Sequence, residues 1–346
     1  MTREQIGQLI LEGDFPETTK KKKLIETHIS WVILCDEFVY KIKKPVRYSF
    51  LDFSTIELRR HFCERELELN RRMSENLYLE VLPIRELNGK YTLGGHDGPE
   101  VDYALKMRKL DSRRQMDVLL AKNRVAPSDI KALAEHIADF HGRATIIHQI
   151  DVLEIREKFN ALSEEREFLS QNLGEQMARE IDHAIATSDI FLNSNKDLLE
   201  DRLRAHFYRD CHGDLHTRNI FLLPAPQPFD CIEFNDGYRA IDVLNEVAFL
   251  CMDLDAMARK DLSELFIAHY DQVFPVIGSE REARLFMYYK CYRANVRAKV
   301  NSLRAKRAEG KKDRVQALSQ ARKYLRLMKS YQNALEPSFN TPKCPP

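Results

Sequence analysis

The sequence has no long hydrophobic run, no excess of charge of one sign and no paired cysteines. No apolar stretch approaches the roughly 18 residues that suggest a membrane-spanning helix, and residues 1–5 (MTREQ) lack the apolar core of a signal peptide. The formal net charge of +1 gives no sign of a nucleic-acid partner bound through overall charge. The seven cysteines are scattered without a C-x-x-C pair, which favours reduced thiols over a disulfide framework or a zinc site. These absences predict a cytoplasmic protein with neither a membrane nor a nucleic-acid partner.

What the sequence does contain is enough chain, 346 residues, for one large core or for two lobes with a cleft between them. Residues 1–110 are mainly strand-like, with one long helix, and are predicted to form an N-lobe. Residues 111–335 are mainly helical and are predicted to form a C-lobe, while residues 336–346 are proline-rich and predicted to be disordered. The resulting fold class is α+β.

Within residues 1–110, the strand signals come in pairs. The apolar runs 29–35 and 38–43 flank Asp36-Glu37 and predict a hairpin, and residues 78–86, 91–93 and 102–110 predict further strands. Residues 54–57 (STIE) match a capping box that opens a helix running to about Met73. After a predicted Ser128 cap, apolar residues recur at helical spacing, which predicts the first helix of the C-lobe.

Residues 212–219 (HGDLHTRN) carry the most informative pattern in the chain. An aspartate, Asp214, is followed five positions later by Asn219 on a short loop entered through Gly213. This spacing is typical of a phosphoryl-transfer loop, in which the aspartate accepts the proton of the acceptor hydroxyl and the asparagine helps hold Mg²⁺ on the ATP phosphates.

The two histidines of this loop predict less. His212 is expected to pack and form hydrogen bonds rather than carry a proton. His216 could either contact phosphate or substrate or simply pack in the loop. Together with Cys211 they are a weak zinc signal, because no third ligand of suitable spacing stands nearby.

Strand alternation selects the lysine that would bind the nucleotide phosphates. Val39 and Lys41 share one face of the predicted strand 38–43, so Lys41 would grip the α- and β-phosphates beside a small apolar residue, Val39, that contacts adenine. Lys43 lies on the same face and is the second choice. The alternative is a solvated lysine cluster, since Lys44 follows directly.

A lysine in a nucleotide cleft needs a carboxylate to orient it. The helix that follows offers Glu64, Glu66 and Glu68, of which the first and last share a face one turn apart. Glu66 directly precedes an apolar residue, which favours it as the inward-facing partner of Lys41. All three could instead belong to the helix surface.

Residues 220–223 and 229–234 predict a hairpin around a proline-rich turn. With Leu223 opposite Phe229, Asn219 would lie opposite Glu233, which predicts Glu233 as the second magnesium ligand and leaves Asp230 too near the turn. Asp236 is a third candidate.

A further acid, Asp242, opens an apolar helix downstream of this hairpin. It could be a helix N-terminal acid stabilised by the helix dipole. We prefer a role in accepting backbone N–H bonds from the catalytic loop.

In this order, the motifs resemble those of the aminoglycoside phosphotransferase and choline kinase branch of the protein-kinase-like fold. Residues 212–220 resemble that branch's H-G-D-x-x-x-x-N-I signature, residues 231–234 (CIEF) its I-D-F/W-E metal segment, residues 241–243 (IDV) its D-L-A, and residues 133–141 its helix ending in L-H. Residues 26–32 and 39–46 look like an uncharacterised bacterial subgroup that is sometimes fused to a P-loop ATPase domain. These 346 residues contain no G-x-x-x-x-G-K-[ST], so that domain is not expected here.

The resemblance implies a bilobal protein-kinase-like fold and an ATP- and Mg²⁺-dependent phosphotransferase that moves the γ-phosphoryl group to a hydroxyl of a small molecule. It implies a nucleotide site at Lys41, Glu66 and Val39, with Asp214 as base. Two departures stand out: the family has Asp where this chain has Glu233, and residues 26–30 replace a glycine-rich loop.

Those departures favour a second hypothesis, a nucleotide-binding regulatory pseudokinase with little catalysis. A third hypothesis is protein modification or nucleotidyl transfer on the same fold. The acceptor itself is not encoded in a local motif, because specificity in this fold is set by side chains that are far apart in sequence. The acidic stretch 242–271 could attract a cationic acceptor and the basic stretch 297–329 an anionic acceptor or nucleic acid, but the preferred interpretation of each stretch is a solvated helix face.

Overall fold

The computed structural model describes residues 1–48, 51–74 and 76–335, so the predicted disordered tail lies outside the described residues. The chain forms two compact units. The first contains residues 1–125, 212–214 and 218–239, and the second contains residues 126–211, 215–217 and those from 240 onward. The first unit thus extends beyond residue 110, where the sequence placed the end of the N-lobe, and it includes the hairpin that the sequence assigned to the C-lobe.

The strands are β1 (Lys23–Glu26), β2 (Ser30–Leu34), β3 (Phe38–Lys43), β4 (Arg47–Tyr48), β5 (Leu51–Asp52), β6 (Tyr78–Leu87), β7 (Lys90–Leu93), β8 (Glu100–Arg108), β9 (Tyr208–Asp210), β10 (Ile220–Phe221), β11 (Gln227–Pro228) and β12 (Ala240–Asp242). The α-helices are α1 (Arg3–Glu12), α2 (Ile56–Arg71), α3 (Met116–Ala121), α4 (Pro127–Arg143), α5 (Glu154–Asn160), α6 (Arg166–Leu173), α7 (Gln176–Ser194), α8 (Lys196–Arg204), α9 (Val243–Ala256), α10 (Lys260–Val273), α11 (Glu280–Arg307) and α12 (Lys311–Leu335).

A six-stranded antiparallel sheet in the order β1-β2-β3-β8-β6-β7 forms the body of the first unit. The predicted hairpin of β2 and β3 is confirmed, with Val32 opposite Lys41. Because side chains alternate along β3, its two faces differ. Tyr40 and Ile42 pack in an apolar core with Ile6 of α1, and the other face carries the lysines. The sequence did not predict α1 or β1.

Helix α2 begins one residue later than predicted. Thr55 is its N-cap, with the hydroxyl accepting a hydrogen bond from the backbone N–H of Leu58 at 3.3 Å. The buried positions of the helix recur every three or four residues and include Cys63, Glu66 and Leu69. This spacing turns Glu66 inward among apolar neighbours.

A buried ion pair fixes α2 to β8. Arg59 Nε lies 2.8 Å from Asp102 Oδ1, and both side chains are almost wholly buried. We expect Arg59→Met to lower the free energy of unfolding by about 1.5–3 kcal/mol, because it removes one charged hydrogen-bond partner of the buried Asp102 carboxylate, which keeps the Met1 N-terminal ammonium on its Oδ2 atom. Urea denaturation measures the change. Arg60→Met is the matched control on the same helix, and its exposed pair with Glu64 predicts no comparable loss; equal effects of the two variants would contradict the prediction.

The second unit is built mainly of helices. Helix α4 begins at Pro127 after Ala126, so the predicted cap residue Ser128 lies inside its first turn. Helix α9 is buried along nearly its whole length, and the long helices α11 and α12 pack against each other. Among the residues described, no helix has both the length and the apolar character needed to span a bilayer.

Candidate active site

The loop after β9 turns at Gly213, a position whose backbone conformation and close neighbours favour glycine. Its φ of +87° is disfavoured for side-chain-bearing residues, and a Cβ there would lie 3.0 Å from the Tyr238 carbonyl oxygen and 3.2 Å from Arg239 Cγ. The tight approach of the 212–214 segment to residues 238–239 therefore depends on Gly213, and it sets the direction in which Asp214 leaves the turn.

Asp214 and Asn219 are in direct contact. The Asn219 Nδ2 group donates to Asp214 Oδ2 at 3.0 Å and to the Asp214 carbonyl at 3.1 Å. Since both of these bonds use the amide nitrogen, the Oδ1 atom is directed elsewhere and can serve as an oxygen ligand. The five-residue spacing thus produces one constellation containing a carboxylate and an amide oxygen.

His212 has a structural role, as predicted. Its Nδ1 accepts a hydrogen bond from the Asp214 backbone N–H at 3.2 Å, and its Nε2 lies 2.9 Å from the Phe229 carbonyl oxygen. A ring that accepts at Nδ1 carries its proton at Nε2, which then donates to that carbonyl. The histidine joins the Asp214 segment to the hairpin that follows.

Lys41 lies between two carboxylates. Its Nζ is 2.7 Å from Glu66 Oε1 and 2.6 Å from Asp230 Oδ1. Glu66 is therefore the α2 glutamate that contacts Lys41, whereas Glu64 and Glu68 form exposed pairs with arginines of their own helix. The Lys41 side chain is 15% exposed and the Asp230 side chain 46% exposed, so this end of the cluster can be reached from solvent.

Lys43, the second choice from the sequence, lies at the closed end of the same cluster. Its Nζ contacts Glu66 Oε2 at 2.7 Å and also Glu233 Oε1, and the Lys43 side chain is only 1% exposed. Burial alone would raise the pKa of Glu66, but Lys41 and Lys43 outweigh it and lower that pKa to about 2. Burial and the neighbouring Glu66 charge instead raise the pKa of Glu233 above its usual value.

The predicted register of the hairpin is wrong. Ile220 pairs with Pro228 and Phe221 with Gln227, so Asn219 lies opposite Phe229, whose N–H donates to the Asn219 carbonyl at 2.9 Å. The β10 strand ends early because the Leu222 N–H donates to the carbonyl of Arg114. The predicted register had placed Asp230 too near the turn. In the observed register, Asp230 directly follows Phe229, the residue opposite Asn219.

Three hydrogen bonds hold the segment that carries Asp230. The Asp230 N–H donates to the Tyr78 hydroxyl at 2.9 Å, and the Cys231 N–H donates to Asn70 Oδ1 at 2.9 Å. The Ser74 hydroxyl donates to the Pro228 carbonyl. Asp230 itself has a φ of +63°, a conformation that aspartate tolerates better than most side chains. Helix α2 and the start of β6 thus position this segment.

The β1–β2 connection, which contains the predicted phosphate-covering residues 26–30, is a threonine-capped turn. The Thr27 N–H donates to the Ser30 carbonyl at 2.9 Å, and the Thr27 hydroxyl accepts from the Ser30 N–H at 2.9 Å. Covering of the phosphates by residues 26–30 stays a prediction. On the same face of the sheet as Lys41, Val39 packs against an apolar cluster of Leu77, Tyr78, Leu105 and Met107.

In the second unit, Asp242 is both a helix cap and an ion-pair partner. Its Oδ1 accepts from the Leu244 N–H at 2.9 Å, and its two oxygens bind Arg202 at 2.5 and 2.9 Å. These bonds bear out the first interpretation of Asp242, while its predicted contact with the catalytic loop stays a prediction. His216 lies against the ring of Phe249, with centroids 5.5 Å apart.

The sequence did not predict the buried cluster of His141, Cys211 and Glu246, whose donor atoms lie within 4.8 Å of one another. The histidine already has two partners, with Nδ1 2.7 Å from the Tyr270 hydroxyl and Nε2 3.0 Å from Glu246 Oε2. The Cys211 thiol donates to the Ile241 carbonyl. These hydrogen bonds give the buried polar atoms of the cluster protein partners, so the three side chains form a hydrogen-bond network in the helical core.

The structure has the fold of small-molecule kinases. It aligns with the solved structure of choline kinase from Cryptosporidium parvum with a TM-score of 0.57, over 91% of this chain and 90% of that one, at 13% sequence identity. Ethanolamine kinase of Plasmodium vivax aligns with a TM-score of 0.50 over 90% and 84% of the two chains, at 10% identity. The predicted α+β protein-kinase-like fold is confirmed.

In sequence, the chain is 33% identical to the uncharacterized protein Rv2004c of Mycobacterium tuberculosis over 285 aligned residues. The alignment covers 81% of this chain and 54% of that protein. The uncharacterized protein Mb2027c of Mycobacterium bovis gives the same figures. The chain therefore spans about half the length of these curated relatives. No family model matches the sequence.

Proposed function

We propose that the protein is an ATP- and Mg²⁺-dependent phosphotransferase that moves the γ-phosphoryl group to a hydroxyl of a small molecule. Two sets of contacts in the first unit carry the proposal. Asp214 contacts Asn219, and Lys41 contacts both Asp230 and Glu66. A general base, two hard oxygen ligands and a phosphate-binding cation are the parts that phosphoryl transfer needs.

Lys41 suits phosphate binding better than Lys43. Both ammonium groups contact Glu66, but only the Lys41 side chain keeps measurable exposure, 15% against 1%. A lysine that binds a ligand must be accessible from solvent, as Lys41 is. Lys43 is enclosed by carboxylates, so its positive charge balances theirs instead. Lys41 would therefore grip the phosphates, with Glu66 orienting it and Val39 contacting the adenine ring.

The oxygen ligands present fit a magnesium ion. Asn219 Oδ1 and the Asp230 carboxylate are hard donors of the kind that Mg²⁺ prefers, and Asp230 is half-exposed. An ion held by these two residues would supply positive charge to neutralise the phosphates. We propose Asp230 rather than Glu233 as its carboxylate ligand, because the Glu233 side chain is buried against Lys43.

Asp214 would accept the proton of the acceptor hydroxyl. Its Oδ2 atom is held by Asn219, which fixes the plane of the carboxylate in the orientation that proton transfer requires. The names of the choline and ethanolamine kinases that share the fold support a small alcohol as the acceptor class.

The test is ADP formation from Mg-ATP against a panel of small hydroxyl compounds, with binding of MgADP measured in parallel by calorimetry. We expect MgADP binding, and ADP formation that depends on one class of acceptor together with a phosphorylated product in the mass spectrum. Tight nucleotide binding without turnover on any acceptor would favour the regulatory pseudokinase, which the glycine-free turn at residues 26–30 supports. A nucleotide adduct in the mass spectrum would favour nucleotidyl transfer.

A further inference from the structure

We infer that Lys43 and Glu233 are positioning residues of the nucleotide site, which hold Glu66 in place while Lys41 exchanges Asp230 for the phosphates. The inference rests on the proposed function and extends it to two side chains that touch neither nucleotide nor metal in that scheme. It begins from the geometry of Glu66, whose two carboxylate oxygens bind different lysines.

The two halves of the cluster differ in accessibility. Lys41 and Asp230 form the outer half, with side chains 15% and 46% exposed. Lys43 and Glu233 form the inner half, with side chains 1% and 4% exposed. An incoming ligand can therefore exchange partners with the outer half, whereas the inner half is closed to it.

The charge balance predicts that such an exchange occurs. Two lysines face three carboxylates, so the five side chains carry one net negative charge. A cation held by Asp230 would relieve this excess and release Lys41 Nζ from that carboxylate. Lys41 would then bind phosphate while its bond to Glu66 persists.

The inner pair determines whether Glu66 stays in place during that exchange. Glu66 Oε2 remains bound to Lys43, and Lys43 in turn remains bound to Glu233 on the segment that carries Asp230. Asn70 strengthens this link, since it donates to the Glu66 carbonyl at 2.8 Å and accepts from Cys231 at 2.9 Å. Helix α2 and the Asp230 segment are thus joined through the inner pair independently of Lys41.

The decisive variant removes both inner charges at once. Lys43→Met/Glu233→Met leaves the cavity without an unpaired lysine or Glu233 carboxylate, and buried ion pairs replaced by apolar residues often leave stability little changed. We expect the double variant to fold, as judged by thermal unfolding, and to bind MgADP about 10–100-fold more weakly, the loss typical of supporting residues behind a binding site.

The control is a lysine–carboxylate pair of the same unit that lies outside the cluster. Lys90 of β7 binds Asp14 at 2.8 Å, with side chains 55% and 58% exposed, so Lys90→Met/Asp14→Met should leave MgADP binding unchanged. A second readout separates positioning from mere packing. Adding Lys41→Met should cost nucleotide affinity in wild type but much less in the inner-pair variant, because residues that act together are not additive.

Each outcome decides the matter. A folded inner-pair variant that binds MgADP as wild type does, with an undiminished effect of Lys41→Met, would overturn the inference alone. Absence of MgADP binding by the wild-type protein would overturn the proposed function and the inference with it. If the double variant does not fold, Glu233→Gln is compared in the same way, and wild-type affinity in that folded variant would equally contradict the inference.

Discussion

Asp214→Asn is expected to lower acceptor-dependent ADP formation by about 10²–10⁴-fold, the usual contribution of a general base. Asparagine fills the same space but cannot accept the proton of the acceptor hydroxyl. Because Asp214 is assigned no contact with the nucleotide, MgADP affinity and the thermal unfolding temperature should stay near their wild-type values. Initial rates at saturating acceptor, with parallel calorimetry, measure both quantities.

The matched control is Asp97→Asn, the same chemical change at an exposed position of the first unit, between β7 and β8. It should leave turnover at the wild-type level. An Asp214→Asn protein that retains full acceptor-dependent turnover would remove Asp214 from the proposed role. The pseudokinase hypothesis makes a different prediction, since it expects both variants and the wild type to bind nucleotide without turnover.

The second large effect is expected from Asp230→Asn, which should lower turnover by about 10²–10³-fold, as loss of a preorganised electrostatic contact does. The amide keeps a neutral oxygen donor but loses the charge that attracts a hard cation. The variant should also need a higher Mg²⁺ concentration for half-maximal activity. Activity measured across a range of Mg²⁺ concentrations, at saturating ATP, tests this.

Glu233→Gln is the comparison that distinguishes the two candidate metal ligands. If Asp230 holds the metal, Glu233→Gln should weaken nucleotide affinity without changing the Mg²⁺ concentration that gives half-maximal activity. A large shift of that concentration in Glu233→Gln, with none in Asp230→Asn, would restore the assignment that the sequence suggested. The two variants differ by three positions on one segment, so general damage to that segment would affect both alike.

Local periodicity is enough to bring Lys41 and Glu66 together. Alternation along β3 puts Val39, Lys41 and Lys43 on one face, and the three- to four-residue spacing of buried positions in α2 selects Glu66. The β2–β3 and β6–β7 hairpins follow from strong β-branched runs separated by polar or glycine-containing turns. Each of these predictions depends on neighbours within one or two elements.

The hairpin register could not be predicted in this way. The strands β10 and β11 have only two residues each, too few for alternation to select a register. What ends β10 is a bond between Leu222 and the distant Arg114. The pairing of Lys43 with Glu233 spans 190 positions, and nothing in the local pattern of either residue indicates it. Helix α1 and strand β1 were missed because their apolar residues are few and are flanked by charged residues.

The first unit is assembled from segments that leave the ribosome far apart in time. Residues 126–211 must be synthesised before residues 212–239 can join residues 1–125. Until then, Lys41 and Lys43 share a single carboxylate partner in this cluster, Glu66, because Asp230 and Glu233 do not yet exist. A nascent chain stalled before residue 230 would thus hold an excess of positive charge in its interior, which disfavours compact folding. We therefore expect the N-terminal sheet to become protease-resistant only late in translation, when the acidic hairpin segment arrives and neutralises the two lysines.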